Sequence, residues 1–360
     1  MRAGWTLLLA ATLAVGSVAC GGAATPAAKS AADLPPPPPA IPVDALDVLP
    51  AGAQQVARVD LTELRGSEHF PRIDGWARRM GCIDAGARDH WLLRRGSEAL
   101  VATYAPAADA PPGTAPLTVV LVAGKFVAQD GTAALHEAAR LLPTARGPRA
   151  VEELGRFRVE RQGRLAASVL DRRWLLVGDG EGVERVLRRL DTLEGPARGA
   201  PLSADETLAA QHGFPQSLSN STITLLGSTD RSANARIRRQ LRRMGAGRAG
   251  AGLAEGPVAA QLMIAGHARA EVLGTYQSTQ AASEASKALR GLFSRANLLM
   301  RLAGLGPILD EAKISVEGEV LRVSLSQGSG ATAKLFRRLD AMIRVMASPC
   351  AAPAEVVRAR

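Results

Sequence analysis

The sequence predicts an α+β protein made of two related units of largely antiparallel sheet covered by helices. Three observations carry that expectation. Short stretches of apolar/polar alternation come in pairs joined by Gly-containing turns, the signature of antiparallel hairpins. Longer stretches with apolar residues at helical spacing separate these pairs. Finally, two strings recur in the same order: R-I-D-G-W-A-R-R-M-G (72–81) against R-I-R-R-Q-L-R-R-M-G (236–245), and L-R-R-L-D (187–191) against F-R-R-L-D (336–340). An internal duplication of roughly 150 residues implies two similar units rather than a solenoid of short repeats.

Composition narrows the class. The chain has 360 residues, 47% hydrophobic but only 3% aromatic, so its core must be built from Ala, Leu, Val and Ile. The formal charge is +10, and the basic residues are overwhelmingly Arg, as a G+C-rich coding sequence tends to produce. A basic surface attracts anionic lipid headgroups or acidic polymers.

The first residues read R-A-G-W-T-L-L-L-A-A-T-L-A-V-G-S-V-A-C from Arg2 to Cys20. One positive charge precedes an apolar run that is shorter than the about 20 residues a membrane-spanning helix needs. Small residues, Gly16 to Ala19, lead directly into Cys20. This segment resembles the signal peptide and lipobox of bacterial lipoproteins, with Ser17 where that family more often has Leu. The resemblance covers about the first twenty residues. It implies removal of residues 1–19, diacylglycerol on the Cys20 sulfur, and acylation of the new amino group. Two or three acyl chains anchor a protein stably where one would be marginal. Gly21 is similar to what family members sent to the outer membrane carry, so the implied location is the cell envelope, facing the periplasm. An ordinary cleaved signal, with Cys20 incidental, is the alternative. Nucleic acid is then not an expected partner, because the protein is exported.

Residues 20–42 form a tether with almost nothing to bury, and its five prolines, 35–39, favour a stiff extended spacer. The first α+β unit is expected over 43–193, with strands at 56–61, 98–104, 117–124, 154–161, 165–170 and 174–178. Its helices are expected at 69–80, 133–142 and 182–190. The strand at 117–124 is apolar on both faces and therefore central. A Gly/Pro/Ala linker, 194–204, leads to the second unit, 205–350, and a tail, 351–360. That unit should carry strands at 221–227, 257–266, 270–276, 312–317 and 320–326, with helices at 232–244, 280–303 and 331–346. The opening L-P-x-x-x-x-x-V-x-x-V-D (49–60) weakly resembles secreted bacterial families, a pattern that names no chemistry.

No local motif for catalysis stands out. The five histidines are scattered, no cysteine pair has metal-ligand spacing, and neither G-x-S-x-G nor S-x-x-K occurs. Neither a metal nor a cofactor is expected. G-D-G-E-G (178–182) sits between a strand and a helix, where backbone N–H groups can bind phosphate. Val183 stands where a dinucleotide fingerprint needs Gly, so a strand-to-helix turn is the simpler reading. The carboxylate pairs Glu152-Glu153 and Asp310-Glu311 point to opposite faces of a strand and do not converge. Cys82 and Cys350 form an even pair in an oxidising compartment; a disulfide between them and two separate thiols are both open. The strongest binding candidate is the arginine row Arg236, Arg238, Arg239, Arg242 and Arg243, set away from Ile237, Leu241 and Met244 on the helix expected at 232–244. Guanidinium forks suit phosphate, so anionic lipid or a phosphorylated saccharide is the matching ligand, against a solvated face as the plain reading.

The expectation is therefore a lipid-anchored envelope protein with a non-catalytic binding or scaffolding role. A hydrolase or transferase acting on envelope polymers, or a carrier of an apolar ligand, is the alternative.

Overall fold

The computed structural model describes residues 40–81, 95–106, 114, 116–141, 147–192, 200–202, 222–227, 258–264, 267–302 and 312–346. Its frame is a single antiparallel sheet of twelve strands. In chain order the elements are α1 (Ala45–Val48), β1 (Ala53–Asp60), α2 (Leu61–Gly66), α3 (Phe70–Gly81), β2 (Glu98–Tyr104), β3 (Leu117–Ala123) and α4 (Gln129–Leu141). Then come β4 (Arg149–Leu154), β5 (Phe157–Gln162), β6 (Leu165–Leu170), β7 (Trp174–Asp179) and α5 (Gly180–Asp191). The remainder is β8 (Ile223–Gly227), β9 (Val258–Ile264), β10 (Ala268–Thr275), α6 (Thr279–Leu302), β11 (Lys313–Glu317), β12 (Val320–Gln327) and α7 (Ser329–Met346). Across the sheet the order is β11-β12-β10-β9-β8-β1-β2-β3-β7-β6-β5-β4.

Cross-strand partners share a face of the sheet, so the pairing register sorts every side chain to one side or the other. On the front, Val56, Leu100, Ala102, Val119, Leu121, Leu176 and Trp174 meet Val183, Val186, Leu187 and Leu190 of α5 and Ala45 and Val48 of α1. On the back, Val59, Val101, Val120, Val122, Leu175 and Val177 meet α2 through Leu61 and Leu64, and α4 through Ala134, Leu135 and Ala138. β3 and β7 are thus buried on both sides, which is why 117–123 reads as an unbroken apolar run. In the C-terminal half the helices lie on the back. There α6 packs Ala282 and Ala285 on Leu321, and α7 sets Phe336 against Ile264 and Trp76 of α3.

Three hairpins turn on Gly at the first of two loop residues: Gly155, Gly163 and Gly318, at φ of +57°, +58° and +59°. Two of these turns are visible in the sequence. The third splits the strand expected over 154–161 into β4 and β5. β4 is the outermost strand and exposed along nearly its whole length, so it carries no hydrophobic alternation to reveal it. The helix expected from 133 starts at Gln129, where the Asp130 carboxylate accepts from the Val127 N–H at 2.7 Å. The short helices α1 and α2 were not expected. Each opens on an Asp side chain that accepts a backbone N–H, from Asp44 to Leu46 at 2.8 Å and from Asp60 to Glu63 at 2.7 Å.

The chain enters this body on the front face. Ile41 packs on the front core, and the Trp174 indole N–H donates to the Pro42 carbonyl at 3.1 Å. Arg189, a buried arginine of α5, donates to the carbonyls of Asp47 and Val48 at 2.6 and 3.2 Å and so ties down the end of α1.

Candidate functional site

The residues the sequence singled out fall into two groups. Cys20, Cys82, Cys350 and the row Arg236, Arg238, Arg239, Arg242 and Arg243 lie outside the described residues, as does Asp310-Glu311. The G-D-G-E-G turn is described, and packing accounts for its composition. A Cβ on Gly178 would run into the Thr118 carbonyl oxygen and lie 2.9 Å from the Val119 Cα. One on Gly182 would lie 2.6 Å from a Val119 methyl. The Asp179 carboxylate accepts from the Thr118 N–H at 2.7 Å and lies 3.9 Å from the Arg164 guanidinium. The turn is a joint between β7, β3 and α5.

Glu152 and Glu153 take opposite faces of β4, as alternation requires, since Glu152 lies beside Val159 and Glu153 beside Arg158. Glu152 is joined to Arg161, which also reaches Glu184 on α5. Burial pulls the Arg161 pKa down, and the hydrogen bonds and charges of Glu152 and Glu184 overcome it, leaving it above its ordinary value. Arg188 extends the set by pairing with Glu184 at 3.0 Å. This network clamps α5 to the sheet edge and keeps its charges matched.

A third group was not anticipated. The front of the C-terminal half carries no helix among the described elements, and a row of polar side chains crosses its strands beside apolar ones such as Ala259 and Leu273. Register sets Arg58, Thr224, Gln261, Glu271 and Ser324 in one row across β1, β8, β9, β10 and β12. At its centre Glu271 is only 3% exposed, and the Arg322 guanidinium lies 3.2 Å from its carboxylate. The second carboxylate near Arg322, Glu317, is 4.0 Å away. Two buried atoms here have no hydrogen-bond partner within the protein: the Gln261 carbonyl oxygen, an acceptor, and the Arg322 Nε–H, a donor. Both atoms are enclosed, with next to no surface open to solvent. The signal in the sequence is faint: A-R-A-E-V-L-G-T and V-L-R-V-S-L-S-Q alternate, but only the register brings Gln261, Glu271 and Arg322 together.

Among the described residues no group of three or more His, Cys, Asp or Glu is placed to hold a metal ion. Nor is any helix among them long and apolar enough to cross a membrane.

No family model and no curated protein matches the chain. Among solved structures it is similar to TP0453. In crystal form IV the TM-score is 0.42 at 11% identity, covering 85% of this chain and 98% of that one. In crystal form III the TM-score is 0.42 at 12% identity, covering 83% and 99%.

Proposed function

We propose that the protein is a lipid-anchored binding module of the bacterial cell envelope, held off the membrane by a proline-rich stalk. The observation that carries this reading is the clamped end of the stalk. The run 35–39 is followed within three residues by Pro42, whose carbonyl is held by Trp174, and by Ile41 seated on the core. A stiff spacer is useful only if both ends are fixed, and Cys20 supplies the other end through its acyl chains. The bound partner is an envelope polymer lying on the front face of the C-terminal half, with Arg322, a third of whose side chain is exposed, as the contact. The arginine row at 236–243 is a second, anionic-lipid or phosphate contact.

Two related units underlie this architecture. The first half is laid out β1-β2-β3-β7-β6 and the second β8-β9-β10-β12-β11, with β1 and β8 antiparallel at the join. In each half a helix follows the third strand, α4 or α6, and another follows the last, α5 or α7. The repeated strings L-R-R-L-D and F-R-R-L-D occupy these last helices. Leu187 and Phe336 are buried, while Asp191 and Asp340 both accept hydrogen bonds, from the Arg156 N–H and the Trp76 indole. β4 and β5 are an addition to the first unit. The halves part at the end, where α5 turns to the front and α7 to the back.

Replacing Cys20→Ser and fractionating cells tests the anchor. The wild type is expected in the envelope pellet and the variant in the soluble fraction; equal pelleting of both removes the reading. Co-sedimentation of the mature chain with purified peptidoglycan sacculi tests the partner. Glu271→Met combined with Arg322→Leu is expected to weaken retention severalfold, and undiminished retention would reject the front face as the contact.

A further inference from the structure

The back of the molecule holds a histidine that no part of the reading above uses. His69 ends the turn into α3, and its carbonyl accepts from the Arg72 and Ile73 N–H groups at 3.0 and 3.1 Å. Its imidazole is 3% exposed and lies flat on Phe336 of α7, ring centres 4.2 Å apart at 12°. Phe336 stacks in turn on Trp76 at 5.3 Å, and the Trp76 indole donates to Asp340 at 2.9 Å. The His69 Nε2 has no hydrogen-bond partner. Among the described side chains, the apolar contact that seats α7 here comprises Trp76, Ile264 and Phe336, with Ile73 and Leu262 at its rim. It bridges residues more than 250 apart in the chain, and the Trp76–Asp340 bond and a longer Arg72-to-Ala333 contact of 3.5 Å join the two helices beside it.

We propose that His69 is a proton-operated latch: α7 stays docked on α3 while the imidazole is neutral, and protonation loosens it. A neutral ring fits this site. A charged one would be buried with only the solvent-exposed Glu68 carboxylate, 3.5 Å from Nε2, as counter-charge, at the end of α3 where the helix dipole is positive. The charged neighbours divide. On its own side, Glu68 lies 3.5 Å away and favours the proton, but it is itself 60% exposed, and Arg72 opposes the proton. From α7, the exposed Lys334 and Arg337 flank Phe336 and add positive charge, while Asp340 is engaged by Trp76. From the sheet, the contacts are Ile264 and Leu262, which do not titrate.

The sign follows. Burial pulls the His69 pKa below its ordinary 6.5, Glu68 works against that and Arg72 with it. The released state therefore binds the proton more readily than the docked state. Docking is at full strength above about pH 6.5 and weakens as pH falls from there toward the lowered value, by at most about tenfold per pH unit. Release uncovers Phe336, Trp76 and Ile264 together.

Hydrogen exchange of the full mature chain at pH 7.5, 6.5 and 5.5, with labelling times scaled to the intrinsic chemistry, reads this directly. Protection in α7 is expected to fall severalfold at pH 5.5 relative to 7.5 while β3 and β7 keep theirs. His69→Phe, which preserves the stack, and His69→Gln, which preserves polarity, should both abolish the pH dependence. Uniform protection of α7 in the wild type across this range overturns the proposal without reference to any variant. So does a wild-type loss that both variants reproduce.

Discussion

Replacing Gly178→Val is expected to cost at least about 3 kcal/mol, the upper end of overpacking effects, and to lower the thermal midpoint by about 6–10 °C. Gly178 lies opposite Val119 where β7 pairs with β3, two strands covered on both faces. The atoms a side chain would strike are backbone, the Thr118 carbonyl and the Val119 Cα, so no rotamer change can make room. Relief requires moving β3 away from β7, which opens the front core at Leu121 and Leu176 and the back core at Val120 and Val177 together. Gly291→Ala is the matched control. Gly291 lies within α6 with nothing within 4 Å of its Cβ position, so alanine should stabilise by up to about 1 kcal/mol through helix propensity alone. Circular-dichroism melts of the two variants decide the point. Should Gly178→Val melt with the wild type, β7 does not meet β3 in the way described.

The parts of this fold that the sequence displayed are those where one local rule decides the outcome. β3 is legible because L-T-V-V-L-V-A can be buried on both faces, and the turns at Gly163 and Gly318 because Gly interrupts otherwise alternating strands. β4 was invisible because Arg149–Leu154 is an edge strand whose side chains are nearly all in water, where nothing selects an apolar pattern. α1 and α2 are too short to show a helical period, and they are held by capping carboxylates and by the Arg189 guanidinium, which is remote in the chain. Arg189 also shows the limit of reading charge runs. In L-R-R-L-D, Arg188 is exposed and Arg189 buried, and only its position over the α1 carbonyls distinguishes the two. The polar row on the front face was out of reach for a further reason. Gln261, Glu271 and Arg322 sit on three strands whose mutual register depends on two hairpins and a helical crossover, so their meeting is a property of topology. His69 likewise looked like one of five scattered histidines until α7 was laid beside α3.

Arg322→Ala is expected to destabilise the protein by about 2–3 kcal/mol, more than Glu271→Ala at the neighbouring position. Removing one member of a fully buried ion pair costs about 3–5 kcal/mol, because the survivor keeps its desolvation penalty and loses its partner. Here the two survivors are not equivalent. Without Arg322 the Glu271 carboxylate stays enclosed, with a side chain only 4% exposed and no other cation within bonding distance among the described residues. Without Glu271 the Arg322 side chain already has a third of its surface in water and keeps Glu317 at 4.0 Å, so it relaxes outward. The pair itself adds little over an apolar substitute, since both charges were drawn out of water to form it. The double variant Glu271→Met with Arg322→Leu should therefore recover most of the loss, and a double-mutant cycle by urea denaturation should return a coupling of about 1–2 kcal/mol. Equal losses from the two alanine variants would contradict the enclosure of Glu271. If the apolar double variant regains stability but no longer sediments with sacculi, the pair is retained for its contacts on the front face, because the fold itself does not need it.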